Sequence, residues 1–324
     1  MVTLNDIQQA RALLRGVAVR TPLVECRLDG NSIFVKPENL QPIGSFKLRG
    51  AYNKISSLTP EERKRGVVAH SSGNHAQGVA FAARALGVKA TIVMPRTAPQ
   101  VKLDNTRAMG AEIVLVGPAS EDRIKRAEEL EHERGLVAVP PYNDEKIIAG
   151  QGTLGLEILE DREGPLTLLV PVGGGGLISG VATAVKESRP NVKVVGVEPE
   201  FAADAQASLR SGKIQSISGE SAARTMADGL RSQSIGAINF EHIRKYVDAI
   251  VTVKEDEIRQ AMRQLLFSAR ILAEPSGAVT TAAAMFHARE IDDSGKPASG
   301  TTIAVVSGGN IEPKLFSEIL ATTN

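Results

Sequence analysis

The sequence predicts an α/β protein of two domains, each with a parallel-stranded sheet flanked by helices. Three observations carry this. Short apolar runs rich in Val, Ile and Leu recur along the chain, and stretches of helical period separate them. The runs are apolar throughout, which is how strands read when both faces of a sheet are covered. A length of 324 residues allows two domains and a large core.

Residues 4–15 read as an amphipathic helix opened by Thr3 or Asn5. A short strand at 33–36 ends at Pro37, and a Gly-containing turn then delivers Lys47 between Phe46 and Leu48. A helix runs on from there through Gly50 to about Ile55. Thr59-Pro60-Glu61-Glu62 has the pattern of another helix start. Strands at 67–70, 90–94, 112–116 and 136–139 follow, separated by helices up to Leu86, up to Met109 and over 121–134. This self-similar block defines a small α/β domain at 57–144, which leaves 1–56 and 145–324 as the large domain.

The large domain continues with a helix over 146–160, a buried strand at 166–170, a glycine run and a helix over 177–186. A strand at 192–197 ends at Glu198-Pro199, and 203–227 is irregular and rich in Ala, Ser and Gly. A strand at 249–253 leads to a helix from about Glu255, and the helix after Glu274 starts with Pro275, a favoured place for proline. The final strand covers 301–306.

Composition excludes several function classes. Apolar residues are 42% and charged residues 23%, ordinary for a globular protein. The net charge is +1, from 38 basic and 37 acidic residues, so no basic face points to nucleic acid or anionic membrane. The lone Cys26 excludes a disulfide within the chain and fits a reducing cytosol. Residues 1–6 lack a cationic segment followed by an apolar run, so no secretory signal is expected, and no apolar run is long enough to span a membrane. The five histidines show no zinc-type spacing.

Four stretches carry candidate chemistry. Lys47 stands at a helix start among apolar neighbours, where a depressed pKa would free its lone pair for Schiff-base chemistry. On its own it reads as a surface lysine on a helix, and the three later stretches are what point away from that. Gly173, Gly174, Gly175 and Gly176 lie between a strand and a helix, and their unobstructed N–H groups at the positive helix end suit a phosphate. A tight turn needs one or two glycines, not four. The run is not a dinucleotide fingerprint, since Ile178 stands at the last glycine position, and no Gly-Lys-Ser/Thr follows to make a P-loop. Ser71-Ser72-Gly73-Asn74-His75 is another strand-to-helix turn, which serves as a helix cap or as a binding loop. Ser307-Gly308-Gly309-Asn310 closes the last strand.

In this order and spacing the four stretches, with Thr21-Pro22-Leu23 ahead of them, resemble the fold-type II pyridoxal-phosphate enzymes (tryptophan synthase β-like), and within them the serine/threonine dehydratase and serine racemase family. The resemblance covers nearly the whole chain. It implies that Lys47 binds the cofactor covalently, with Phe46 beside it, and that Asn74 bonds the phenolic oxygen. Gly173 to Gly176 and the Leu177 amide would cradle the phosphate, and Ser307 would face the pyridine nitrogen. Ser71, Ser72, Asn74 and His75 would grip the substrate carboxylate. A serine cannot hold the pyridine nitrogen protonated as an aspartate would, so loss of a β-hydroxyl or quick reprotonation is favoured over transamination.

The implied activity is deamination of L-threonine or L-serine to a 2-oxo acid and ammonia, with Lys47 removing the α-proton. The alternative is a serine or aspartate racemase, or a 3-hydroxyaspartate dehydratase. Ser72 would supply the second-face acid in a racemase, or would only bind carboxylate. Glu198, Ala202 and Asp204 stand at the family's spacing for a divalent cation, Mg2+ or else Ca2+ or Mn2+. Pro140 to Asp144 looks dehydratase-like, and Ala227-Asp228-Gly229-Leu230-Arg231 looks closer to the racemase and hydroxyaspartate branch, with Arg231 either facing a substrate carboxylate or on the surface. The chain ends soon after the last motif, so no C-terminal regulatory domain is expected. A cytoplasmic homodimer or homotetramer is expected, with nucleotide activation at a dimer interface left open.

Overall fold

The computed structural model describes every residue except Asp29, Ser72, Pro99, 292–299 and 322–324. Among the described residues, ten strands form two sheets. In chain order they are β1 (Val24–Leu28), β2 (Asn31–Pro37), β3 (Val67–His70), β4 (Ala90–Pro95), β5 (Glu112–Val116), β6 (Val137–Ala138), β7 (Leu166–Pro171), β8 (Lys193–Pro199), β9 (Ala249–Val253) and β10 (Thr301–Val306). The larger sheet has the order β1-β2-β10-β7-β8-β9, parallel throughout except for β1 against β2. The smaller has the order β5-β4-β3-β6, all parallel.

The central strands of both sheets are buried on both faces, as continuous apolar runs require. Leu168 and Val170 face one core with the Gly176–Ser188 helix, and Leu169 between them faces another with the Pro275–Phe286 helix. In the small sheet Val67 and Ala69 pack with the Asn74–Ala85 helix, while Val68 packs with Ala127 and Leu130 of the Ser120–Arg134 helix. The Lys47–Ser56 helix lends Ala51 and Ile55 to the small sheet's core.

Thr3, not Asn5, opens the first helix, in a capping box with Asp6. Thr59 does the same for Pro60–Arg65. The expected strand at 136–139 shrinks to two residues, because Pro140 and Pro141 have no N–H to extend the ladder. β1 escaped the sequence reading: its exposed Glu25 and Arg27 flank buried Cys26, the polar alternation of an edge strand. The helices Ala237–Tyr246 and Pro313–Ala321 were also unforeseen, and 203–227 holds short helices at Asp204–Ser211 and Gly219–Ala223.

Strand order fixes where a ligand can sit. From β7 the large sheet grows through β8 to β9 on one side, then β10 returns on the other side of β7. From β3 the small sheet grows through β4 to β5, and β6 returns on the far side. Each reversal opens a crevice at the carboxyl ends of the strands. The tetraglycine turn follows β7, the Ser307 turn follows β10, and the Ser71 turn follows β3. Among the described residues, no helix is long and apolar enough to cross a membrane.

Candidate active site

Lys47 is the first residue of its helix, which begins after Phe46 without a side-chain cap. The turn before it is stitched to the Ser307 turn. The Phe46 N–H donates to the Ser307 carbonyl at 3.1 Å, the Gly309 N–H donates to the Gly44 carbonyl at 2.9 Å, and Ser45 bridges to Gly308. Gly44 has φ 72, a backbone state that glycine adopts without strain. The Lys47 Nζ donates to the Pro141 carbonyl at 2.7 Å and lies 5.3 Å from the Phe46 ring centre. Part of the side chain reaches solvent, yet burial of the ammonium pushes its pKa down to about 8. The amine therefore loses its proton more readily than an ordinary lysine, which favours bonding to a carbonyl.

Gly175, with φ 93, caps the Gly176–Ser188 helix, whose first N–H groups have no partner within the helix. Leu177 is the second residue of that helix. A Cβ on Gly174 would lie 2.2 Å from the Tyr142 ring, and one on Gly175 would lie 2.9 Å from the Asn239 Cβ. The glycines thus leave a bare backbone cradle walled by Tyr142 and Asn239. Ser307 is buried at the end of β10, and its hydroxyl donates to the Ser276 carbonyl at 3.3 Å. Together with the Lys47 amine, the cradle and Ser307 fit the phosphorylated pyridine aldehyde that the resemblance implies.

Asn74 starts the Asn74–Ala85 helix at the end of the Ser71 turn. Its amide is held at both ends: Nδ2 donates to Glu274 Oε1 at 2.6 Å, and Oδ1 accepts from Asn310 Nδ2 at 2.7 Å. The Asn310 N–H donates to the other Glu274 oxygen at 3.1 Å. Glu274 is buried, and that burial, reinforced by nearby Asp228, pushes its pKa up to about 7. Sequence reading saw Glu274 only as a helix start; a carboxylate before a helix-opening proline carries no sign of its tertiary partners. The Ser71 hydroxyl accepts from the Gly73 N–H at 3.2 Å. His75 is buried with Nε2 2.8 Å from the Val139 carbonyl, and burial, with Lys47 nearby, pushes its pKa down to about 3. Its ring is therefore neutral and already engaged, which leaves its backbone as the part available to a ligand. Ser72 lies outside the described residues.

Glu198 and Asp204 are both buried. Glu198 accepts from the Ala205 and Gln206 N–H groups at 2.9 and 2.8 Å, so it caps the Asp204–Ser211 helix. Among the described residues no well-formed hydrogen bond reaches either Asp204 oxygen, although the Ile235 N–H is near enough to lower its pKa. Burial, and for Glu198 also the repulsion of Asp204, raises both: Asp204 to about 7 and Glu198 well above its ordinary value. A divalent cation would relieve that repulsion, and buried Ala202 stands between them in sequence. Among the described residues, no group of three or more His, Cys, Asp or Glu side chains is placed to hold a metal ion. Arg231 is exposed and its Nε donates to the Thr225 carbonyl at 2.9 Å, so it serves the surface loop.

A family model described as pyridoxal-phosphate dependent enzyme matches residues 14–308. The L-threonine ammonia-lyase of Thermotoga maritima is 47% identical over 99% of this chain and 78% of its own length. The crystal structure of a threonine deaminase from "T.th." aligns with TM-score 0.88 and 42% identity, covering 96% of this chain and 99% of its own. That of serine racemase from Dictyostelium discoideum aligns with TM-score 0.88 and 37% identity, again over 96% and 99%.

Proposed function

Because this chain belongs to the pyridoxal-phosphate dependent enzyme family, we propose that it deaminates L-threonine or L-serine to a 2-oxo acid and ammonia. The carrying observation is a lysine amine with its pKa pushed down to about 8, in a turn hydrogen-bonded to the Ser307 turn beside the tetraglycine strand. Relatives named for threonine deamination support the substrate class.

Pyridoxal phosphate, when bound, supplies the electron sink that acidifies the α-carbon and lets a β-hydroxyl leave. The chain's own groups do the rest. Lys47 would hold the cofactor through its amine and, once that amine is free, would take the α-proton. The backbone of Gly173 to Gly176 and Leu177 holds the phosphate, and Phe46 flanks the amine. Ser307 offers a hydroxyl that cannot charge the ring nitrogen. Asn74, whose amide nitrogen keeps a second N–H beyond the one given to Glu274, would donate to the phenolic oxygen, and Ser71, Ser72, Asn74 and His75 would hold the substrate carboxylate. Glu198, Asp204 and the Ala202 carbonyl would hold Mg2+ or a similar hard cation in a structural role; the burial of both carboxylates and their repulsion support this. We place the enzyme in the cytoplasm as a homodimer or homotetramer; exposed Leu40 and Leu272, brought together by Asn39 donating to the Leu272 carbonyl at 3.0 Å, support a partner surface.

The likeness to a serine racemase favours a second reading, racemisation with Ser72 as opposite-face acid. A screen for 2-oxo acid release from serine, threonine and both 3-hydroxyaspartate diastereomers tests the first. Release from threonine or serine, lost in Lys47→Ala, is expected; release from neither overturns it. EDTA that changes neither rate nor melting temperature overturns the cation. Chiral analysis of Ser72→Ala separates the readings: racemisation lost with 2-oxo acid release kept supports the racemase acid, and no racemisation in wild type removes it.

A further inference from the structure

Behind Lys47 lies a buried ion cluster that the chemistry above does not use. Arg49 is 1% exposed, yet it carries a full charge. Its fork engages two carboxylates at once. Nε and Nη2 reach the two Glu38 oxygens at 2.7 and 3.0 Å, and Nη1 and Nη2 reach the two Glu157 oxygens at 2.7 and 3.1 Å. Nη1 also donates to Thr153 Oγ1 at 3.1 Å. Lys36, fully buried, adds an ammonium 2.8 Å from Glu157 and donates to the Thr21 carbonyl at 2.6 Å. The cluster thus ties β2 and the turn after it to the Lys47–Ser56 and Glu145–Asp161 helices.

Buried ion pairs are poor sources of stability, because desolvation offsets their attraction; apolar side chains of the same volume often serve as well. What such a cluster does supply is geometry, since a planar fork donates to two carboxylates in a defined orientation. The Lys47 helix needs that. It opens on Phe46 without a side-chain cap; buried Leu48 and the Gly50 N–H, which donates to Gln151 Oε1 at 3.1 Å, bear on its rotation, and the Arg49 fork adds two charged anchors on one side. Residues two apart on a helix point about 200° apart around its axis. With Arg49 locked toward Glu38 and Glu157, Lys47 must point the opposite way, where its Nζ meets the Pro141 carbonyl.

We propose that Arg49, clamped by Glu38 and Glu157, is the positioning residue for Lys47: it fixes the helix rotation that brings Nζ to the strand of chain at Pro141 and Tyr142. This rests on the reading of Lys47 as the cofactor-binding amine.

Arg49→Lys keeps the charge and loses the double fork, so it is the direct test. In the loaded enzyme, kcat is expected to fall roughly a hundredfold, as for an ångström-scale misplacement, with KM little changed. In cofactor-free protein, acetic anhydride labelling at pH 8 read by peptide mass is the second readout. Wild-type Lys47 is expected to label faster than exposed Lys89, and Arg49→Lys is expected to lose that excess. A folded Arg49→Lys with wild-type labelling and wild-type kcat overturns the proposal. If Arg49→Lys does not fold, Glu157→Gln, which keeps the shape and removes one charge, carries both readouts with the same expectations. Failure of both to fold assigns the cluster to folding and also overturns the positional role. The two readings fail separately. Borohydride treatment of wild type with pyridoxal phosphate that leaves Lys47 unmodified sinks the cofactor assignment alone, because the labelling comparison needs no cofactor.

Discussion

Gly174 gains its role from an atom it lacks: a Cβ there would lie 2.2 Å from the Tyr142 ring, closer than any ordinary contact. Gly174→Ala must push that ring away or reshape the turn. The mutant is expected to bind pyridoxal phosphate at least about tenfold more weakly, which is about 1.4 kcal/mol. Fluorescence titration checks this, and an unchanged Kd contradicts the cradle. The four glycines were legible because no turn requires so many. The Lys47 environment was only half legible. Apolar Phe46 and Leu48 hinted at burial, but the Pro141 carbonyl that holds the amine comes from far along the chain. His75 shows the reverse case. Its place in the turn pointed to a ligand contact, whereas its ring is spent on the Val139 carbonyl, a partner that local sequence does not reveal.

Between elements, the junction of the Asn74–Ala85 and Pro275–Phe286 helices carries the most chemistry. Glu274 accepts from both Asn74 and Asn310 only as a carboxylate with two free oxygens. Its carboxyl has an ordinary pKa of 4.5 and a folded value of about 7, so the folded protein holds this proton longer than the unfolded chain. Stability from this group therefore falls as pH rises from about 4.5 to about 7. Catalysis should run the other way, because the carboxylate is the form that fixes the Asn74 amide. A pH profile of kcat is expected to rise through about pH 7 in wild type, and to lose that rise in Glu274→Gln, which forfeits a charged hydrogen bond of about 1.5–3 kcal/mol. A mutant that keeps the rise assigns it elsewhere. The sequence placed a helix start at Pro275 correctly, but which helix it would face depends on how the sheets assemble. β1 was missed for a local reason, its polar alternation, and β6 was overcalled because Pro140 and Pro141 cut its ladder short.

At the scale of the molecule, continuous apolar strands made parallel sheets buried on both faces legible, and the positions of the tetraglycine and Ser307 turns at strand ends followed. Strand order did not follow, since nothing in β10 states that it inserts between β2 and β7. That insertion puts the Lys47 turn after β2, the Ser307 turn after β10 and the tetraglycine turn after β7 at the ends of three neighbouring strands. Across the crevice, Lys102 of the small-sheet helix Gln100–Ala108 reaches Asp228 at 3.0 Å, and Asn74 reaches Glu274, so the two sheets meet over the same place. The whole arrangement has meaning if that crevice holds pyridoxal phosphate on Lys47. The most direct measurement saturates the purified protein with pyridoxal phosphate, reduces it with borohydride and maps the modified peptide by mass. The account predicts a pyridoxyl group on Lys47 and none at that position in Lys47→Ala; a saturated wild type with Lys47 unmodified would contradict it.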